Sequence, residues 1–520
     1  MRLRGQSPQS QYALAIDLGT GGPKVGLVSL AGRIAWREHL PVPTIRGPDG
    51  AVEQDADEWW QLIRGAARRG LGAGAVSAED VVAVAVTGQW ASRVAVDEHG
   101  IPVAPCVMWM DTRGHAHSRA LIGGRVAGYN ARRALTWVRR SGGVPSPTGS
   151  DPISHLLYLE RDCAEVASAA RWFLEPVDYL TMRFTGRAAA SPASMLSVWL
   201  TDNRHIDGRP EYDAVLVSMA GIDRTKLPPL QPTGSLIGPV RSDVAADIGL
   251  PGDVQVITGV PDLHAATVGT GALERHAAHL AISTSGWISC PVDRKKTDTR
   301  HAMASVPGLG DGRYLLVNSI DSAGICLEWA RNQLFDEPPS YEDLFALAAG
   351  ADPGSGGVVY TPWPEGTRSP VEDRRARAGW HNVPLATTRA ELVRAVLEGV
   401  ACHAAWLHYA VERFVGERVE PIRILGGGAQ SDLWCQITAD VLGRRIERVA
   451  DPADAVLRGA ALLAGVGLGA IARQDVAALV EVDRDFEPDP ATSDVYARLR
   501  AELPRLHRAQ RGLSSRLAGR

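Results

Sequence analysis

Leu14-Ala15-Ile16-Asp17-Leu18-Gly19-Thr20-Gly21-Gly22-Pro23-Lys24 is the stretch on which the reading of this sequence turns. An apolar run over residues 12–16 ends on a carboxylate and enters a glycine-rich turn. Strand-length runs over 25–30 and 33–40 follow, with turn residues between them, which predicts consecutive hairpin strands. The turn has neither the G-x-x-x-x-G-K-[ST] spacing of a Walker loop nor G-x-G-x-x-G. It nevertheless suits phosphate. Glycines let backbone N–H groups approach anionic oxygens, and Thr20 adds a hydroxyl. Asp17 at a strand end can hold a magnesium ion through waters. An ordinary glycine hairpin would look the same in isolation.

The pattern returns once, as Leu280-Ala281-Ile282-Ser283-Thr284-Ser285-Gly286. Two such turns far apart suggest duplicated domains, divided within 271–279. Elsewhere strands alternate with helical patterns. Asp55 with Glu58 reads as a capped helix start before Trp59. Residues 81–86 form a β-branched strand that breaks at Gly88, and 254–260 form another that delivers Asp262. Residues 388–414 predict a long helix opened by Thr388 and Glu391 as a capping box. A strand over 422–425 runs into Gly426-Gly427-Gly428-Ala429 ahead of a helical pattern at 433–442. The class is α/β. Residues past 473 read as a mostly helical extension, with 505–520 as a solvated basic tail.

Bulk properties narrow the function. A chain of 520 residues is too long for one core, so two large domains are expected. Hydrophobic residues at 45% and charged residues at 22% are ordinary for a globular protein. A net charge of −4 offers no basic excess for a nucleic-acid partner. The 6 cysteines (Cys106, Cys163, Cys290, Cys326, Cys402, Cys435) include no C-x-x-C, which fits a reducing cytoplasm. Arg2 and Arg4 precede no apolar run, so the start does not read as a secretory signal. The apolar stretch 460–471 is short and broken by glycines, a buried helix rather than a membrane span.

Asp262 is the candidate base. It closes a strand, where ligands of open α/β sheets gather, and a lone carboxylate there can take a proton. It can equally cap a helix beginning at 265–269. His264 lacks a metal-ligand spacing and reads as a satisfied buried histidine. Thr284-Ser285-Gly286 offers a second hydroxyl-rich turn, and three consecutive glycines permit a flat ligand to lie on the backbone. Trp109, Asp111 and Arg113 alternate. On a strand they would share a face, giving either an aromatic floor with a charged pair for a polyhydroxylated ligand or a structural ion pair.

Taken in order, these pieces resemble the FGGY carbohydrate kinases, nearest to the xylulokinase branch, over roughly residues 12–469. Asp17 to Lys24 resembles the first phosphate motif and Thr284-Ser285-Gly286 the second. Gly88-Gln89 and Trp109-x-Asp111-x-Arg113 resemble the sugar loops. Asp178-Tyr179-Leu180 with Thr185-Gly186, Gly366-Thr-Arg368-Ser-Pro370 and Glu398-Gly399 match further segments. Gly426 to Ser431 with Trp434 resembles the adenosine motif. The resemblance implies two actin-like, ribonuclease-H-like domains, 11–273 and 274–472, with an interdomain cleft for ATP and sugar and an extension over 473–520. It makes Asp262 the catalytic base and Asp17 the organiser of Mg²⁺. Gly19, Thr20, Gly21, Lys24 and Thr284 would face the phosphates, and Gly427, Gly428, Ala429 and Ser431 the adenosine. Gln89, Trp90, Ala91, Trp109, Asp111 and Arg113 would join Asp262 around the sugar. The sequence departs from xylulokinases at Trp90-Ala91-Ser92, where Met-His or Gln-His is usual, and at Leu263, Ser191 and Ser283. The implied activity is ATP-dependent phosphorylation of a small sugar or polyol, with D-xylulose the best single substrate. Another ketose, a polyol or an aldonic acid is the alternative, and a non-catalytic nucleotide- or sugar-binding sensor the rival from another class. The partners implied are small molecules in the cytoplasm, without nucleic acid or membrane; a homodimer stays open.

Overall fold

The glycine turn joins β1 (Tyr12–Gly19) to β2 (Gly22–Ser29), and β3 (Ile34–His39) completes the meander expected from the sequence. The computed structural model describes residues 7–126, 128–206, 208–310 and 312–517. Arg2, Arg4 and the last three residues of the basic tail, 518–520, lie outside the described residues. Helix α1 (Ala56–Gly72) starts where the Asp55 carboxylate accepts from the N–H groups of Asp57 and Glu58. Strand β4 (Val81–Gly88) runs parallel to β1, and α2 (Pro176–Thr185) follows further along. Strands β5 (Leu236–Pro239), β6 (Gln255–Ile257) and β7 (Val260–Pro261) complete a 7-stranded sheet ordered β5-β6-β4-β1-β2-β3, with β7 also paired to β4.

The strand expected at 254–260 is therefore interrupted. Thr258 turns its hydroxyl to the Gly234 N–H at 2.8 Å. Gly259 lies so near Val177 that a Cβ would stand 2.8 Å from that side chain. The ladder breaks there and resumes as β7. Asp262 then becomes the first residue of α3 (Asp262–Gly269), with Pro261 at the cap position, so it does not cap a later helix.

The second half repeats the plan. Strands β8 (Ala278–Ile282) and β9 (Gly286–Ser289) form a hairpin, while β10 (Met303–Pro307) and β11 (Tyr314–Val317) belong to a separate 4-stranded sheet. After α4 (Gly324–Leu334) and α5 (Arg389–Val415), β12 (Ile422–Leu425) pairs in parallel with β8. Helix α6 (Asp432–Leu442) leads to β13 (Ile446–Val449), which runs parallel to β12, and β14 (Val482–Phe486) closes the edge antiparallel. Each half thus has a hairpin, two further parallel strands and an antiparallel edge. The turns at Gly19–Gly22 and Ser283–Gly286 occupy equivalent places in a duplicated α/β fold.

Two features differ from the sequence reading. The segment 473–520 is not an appended helical tail. It supplies β14, and α8 (Ser493–Leu517) buries Tyr496, Leu499 and Leu503 in the core with α5 and α6. Their three- and four-residue spacing is a helix stripe. Nor does the chain divide cleanly in sequence. Helix α7 (Ala455–Gly467) lies on the first sheet, with Leu457, Ala460 and Ala464 among Ala13, Ala15, Ala83 and Ala85. It crosses α3 glycine against glycine. A Cβ on Gly459 would collide with the Ala265 carbonyl, and one on Gly269 with that of Ala455.

Candidate active site

Parallel register brings three strand ends together. Asp17 of β1 pairs with Thr87 of β4, and Pro261 of β7 pairs with Gly88. Asp17, Gln89 and Asp262 therefore gather at the carboxyl edge of the first sheet, where open α/β sheets bind ligands. Burial raises the Asp262 carboxyl, the negative charge of Asp17 raises it further, and the Leu263 N–H opposes them; the result is about 7. That N–H donates to Asp262 Oδ1 at 2.7 Å. Burial likewise raises Asp17, opposed by Lys24 and His39. No hydrogen bond reaches the Asp17 carboxylate among the described residues. Two facing carboxylates of this kind repel each other unless a cation or a proton intervenes.

The first turn is held open. The Thr20 carbonyl accepts from Gln54 Nε2 at 2.8 Å, and Thr20 Oγ1 accepts from the Trp109 indole N–H at 3.2 Å. Gly22, at φ 121°, lies against Leu40 and Val42 with no room for a side chain, whereas Gly21 faces open space. Lys24 departs from its expected place among phosphate ligands. Its ammonium donates to the Ala453 carbonyl at 2.6 Å and to Asp454 at 2.9 Å, and Asp454 also holds Arg37 at 2.8 Å. Those bonds tie β2 and β3 to the start of α7.

Thr284 is exposed at the tip of the second turn. Its carbonyl accepts from the N–H groups of Ala323 at 3.0 Å and Ile325 at 3.3 Å, and the Ser283 carbonyl accepts from Gly324 at 2.6 Å. The start of α4 is thereby clamped to this turn. Sequence reasoning missed Ala323-Gly324-Ile325; the small pair before an apolar helix was the available signal. In the glycine loop only Gly427 and Gln430 are exposed. A Cβ on Gly428 would meet Ile282 and, at 3.0 Å, Trp434. Ala429 is fully buried, and Ser431 caps α6 by accepting from the Trp434 N–H at 3.3 Å. The side-chain positions of these three residues turn into the protein, so a flat ligand could meet them only through the backbone. Gly427, with nothing within 4 Å of its Cβ position, faces the open side. Gly427→Val is expected to leave the fold intact and weaken ATP binding about tenfold, the scale of a 1–3 kcal/mol overpacking clash. Gly428→Val should instead lower the melting temperature. Calorimetry with ATP and thermal melting of both variants separate the two; equal nucleotide affinity in Gly427→Val would move the nucleoside elsewhere.

In the segment expected to face the sugar, residues 109–113 form turns and irregular backbone after the short strand Cys106–Val107, not a strand. Asp111 is fully buried and accepts from the Val52 N–H at 2.8 Å and from Arg113 Nε at 2.9 Å. Arg113 also pairs with Glu53 at 2.6 Å and donates to the Tyr158 hydroxyl at 3.1 Å. Both charges are met within the protein, which favours the structural ion pair for Asp111 and Arg113. Gln89 is buried with neither amide atom bonded, a polar group placed as if for a ligand. Ala91 has φ 65°. Trp90 is half-buried against Leu196 and against Val306 and Leu315 of β10 and β11, so it bridges the two halves. His264 is buried as expected, with Nε2 2.9 Å from the Pro307 carbonyl.

The model of the N-terminal domain of the FGGY family of carbohydrate kinases matches residues 12–269, and that of the C-terminal domain matches 284–468. The chain belongs to the FGGY family of carbohydrate kinases. It is an ATP-dependent phosphotransferase of that family. Xylulose kinase from Staphylococcus epidermidis is 26% identical over 490 residues, 94% of each chain. Glycerol kinase from Dechloromonas aromatica is 29% identical over 94% of this chain and 95% of that one. The crystal structure of xylulose kinase from Rhodospirillum rubrum superposes with a TM-score of 0.79 at 26% identity, covering 96% of this chain and 99% of that one. Both matched halves of this FGGY kinase contain one of the two turns, and the gap between them holds β8.

Proposed function

We propose that this kinase transfers the γ-phosphoryl of ATP to a hydroxyl of a small open-chain ketose, with D-xylulose the first substrate to test. The observation that carries the chemistry is Asp262, which faces Asp17 at a strand edge and is raised to about 7. A carboxylate poised near the working pH is suited to take the proton of an attacking hydroxyl. Positioning and charge stabilisation do most of the remaining work in phosphoryl transfer. Thr20, Thr284 and the N–H groups of their turns would hold the phosphates, and Gly427 and Gln430 would flank the nucleoside.

Magnesium fits this donor set. Among the described residues no three His, Cys, Asp or Glu side chains cluster as a metal cage. Mg²⁺ commonly takes one or two carboxylates and completes its shell with phosphates and water. Asp17, without a hydrogen-bond partner, is the residue that would hold it. When bound, the ion supplies positive charge to the phosphates. The sugar unit would span 11–273 and the nucleotide unit 274–472, with 473–517 built into the latter. The cytoplasm is the proposed compartment, in keeping with 6 free cysteines. No described helix is long and apolar enough to cross a membrane.

The base must be ionised to act, so protonation near 7 removes activity on the acid side. The kcat/KM for sugar is expected to fall about tenfold per pH unit below 7 and to level off above it. A pH profile at saturating ATP checks this; an acid limb bending near 4 instead would mean that the Asp262 carboxyl is not raised, and a limb that survives unchanged in Asp262→Asn would remove it from the role. Substrate class is tested by ADP release with pentuloses, hexuloses, pentitols, glycerol and aldonates. A second reading, a polyol kinase, is favoured by the apolar Trp90 and Leu263 and by the glycerol kinase relative. Turnover of glycerol with inert ketoses would select it, and ADP release indifferent to every sugar would overturn both.

A further inference from the structure

Outside the residues that face the cleft, the most unusual feature is a charge pair with no exposure at all. Arg93 and Glu175 are both 0% exposed and lie 2.9 Å apart. Glu175 Oε1 also accepts from the Ser197 hydroxyl at 2.9 Å. Its other oxygen, Oε2, is buried without a hydrogen-bond partner among the described residues. Arg93 is fixed through its backbone, exchanging hydrogen bonds with Val107 at 2.8 and 2.9 Å. Ser92 Oγ accepts from the Trp109 N–H at 3.0 Å. Asp178 lies in the same buried region. Burial and the Glu175 charge push its carboxyl well up, and burial also raises the carboxyl of Glu175, opposed by the Arg93 charge.

These bonds converge on residues 89–92, the segment that carries the unbonded Gln89 and places Ala91 at φ 65°. A non-glycine residue holds that conformation only where its surroundings impose it. A buried ion pair adds little stability over well-packed apolar residues, because desolvation offsets its attraction. Its contribution here is geometric: it fixes the side chain of Arg93, the residue that directly follows the loop. We infer that the Arg93–Glu175 pair positions the substrate loop 89–92, so that these two residues set sugar recognition without touching the sugar. The inference rests on the kinase reading above.

The test combines Arg93→Met with Glu175→Leu in one chain. The expected result is a melting temperature equal to or above that of the unmodified protein, with kcat/KM for the best sugar at least about tenfold lower, as for a displaced positioning element. Calorimetric ATP affinity should stay within about threefold, since no nucleotide-facing residue changes. Unchanged kcat/KM in the folded double variant overturns the inference, as does a loss that only tracks the folded fraction. Should the double variant fail to fold, Glu175→Gln is compared with Glu175→Ala. Gln keeps an oxygen acceptor for Arg93 and should retain at least about tenfold more kcat/KM than Ala per folded molecule; equal values overturn the inference. Hydrogen exchange at the amides of 89–92 needs no sugar. Faster exchange in the pair-less variants supports the inference and unchanged exchange overturns it, whereas a wrong substrate reading shows separately as an unmodified kinase inert to every sugar.

Discussion

Asp262→Asn is expected to fold, to bind ATP and to lose about 10²–10⁴ of its turnover, the contribution of a positioned proton acceptor. Asparagine keeps the shape of the side chain and an oxygen for the Leu263 N–H, which donates to Oδ1 at 2.7 Å. It cannot accept the proton. Stability should move the other way. Asp262 has a folded pKa raised from 3.8 to about 7, so the folded state holds this proton more tightly than the unfolded chain does. The stabilisation from that proton is complete below 3.8 and is lost as pH rises through 7. Above 7 the ionised carboxylate opposes folding, by about 1.4 kcal/mol for every tenfold difference in proton affinity between the folded and unfolded chain. Asparagine removes that opposition. The variant should therefore melt higher than the parent at pH 8, with the difference shrinking toward pH 4. Steady-state assays and paired melting curves measure both effects. A folded variant with near-normal kcat would show that Asp262 only begins α3.

Gly459→Ala is expected to destabilise the protein by about 3 kcal/mol and to lower kcat in the molecules that still fold. The obstacle is backbone: the added methyl would meet the Ala265 carbonyl, and Gly269 N stands 2.8 Å from the same point. A side chain could rotate away, but a carbonyl inside α3 cannot move without its helix. Because α3 begins with Asp262, the shift reaches the proposed base, and a displacement of about 1 Å at a reacting group can cost on the order of 10²-fold. Gly252→Ala is the control, since nothing lies within 4 Å of its Cβ position. Urea unfolding and kcat of both variants decide the matter. Parity of Gly459→Ala with the control would mean that α3 and α7 slide freely, and the tight crossing would lose its role in placing Asp262.

Features that depend on near neighbours in the chain were legible from residue types. Thr388 and Glu391 form the capping box expected of them, and Asp55 caps α1, because the bonded groups lie within three residues of each other. The strand–turn–strand echo at Asp17 and Thr284 is likewise local, and it was enough to indicate a duplicated α/β fold. Lys24 was misread because its partner, Asp454, lies 430 positions away, and nothing around Lys24 distinguishes an ammonium facing phosphate from one facing a carboxylate. Residues 109–113 alternate like a strand, yet no neighbouring strand takes up their backbone, and Asp111 instead closes on Arg113 and the Val52 N–H. Gly427 and Gly428 are identical in type; the positions of Ile282 and Trp434 determine which faces open space. The sequence by itself thus determined the hairpins, turns and caps, whose hydrogen bonds form among residues close in the chain. Only the tertiary structure decided which polar group meets which partner, that α7 crosses to the first sheet, and that Arg93 and Glu175 meet beside residues 89–92. Those outcomes depend on close packing and desolvation between segments far apart in the chain, and no local pattern encodes them.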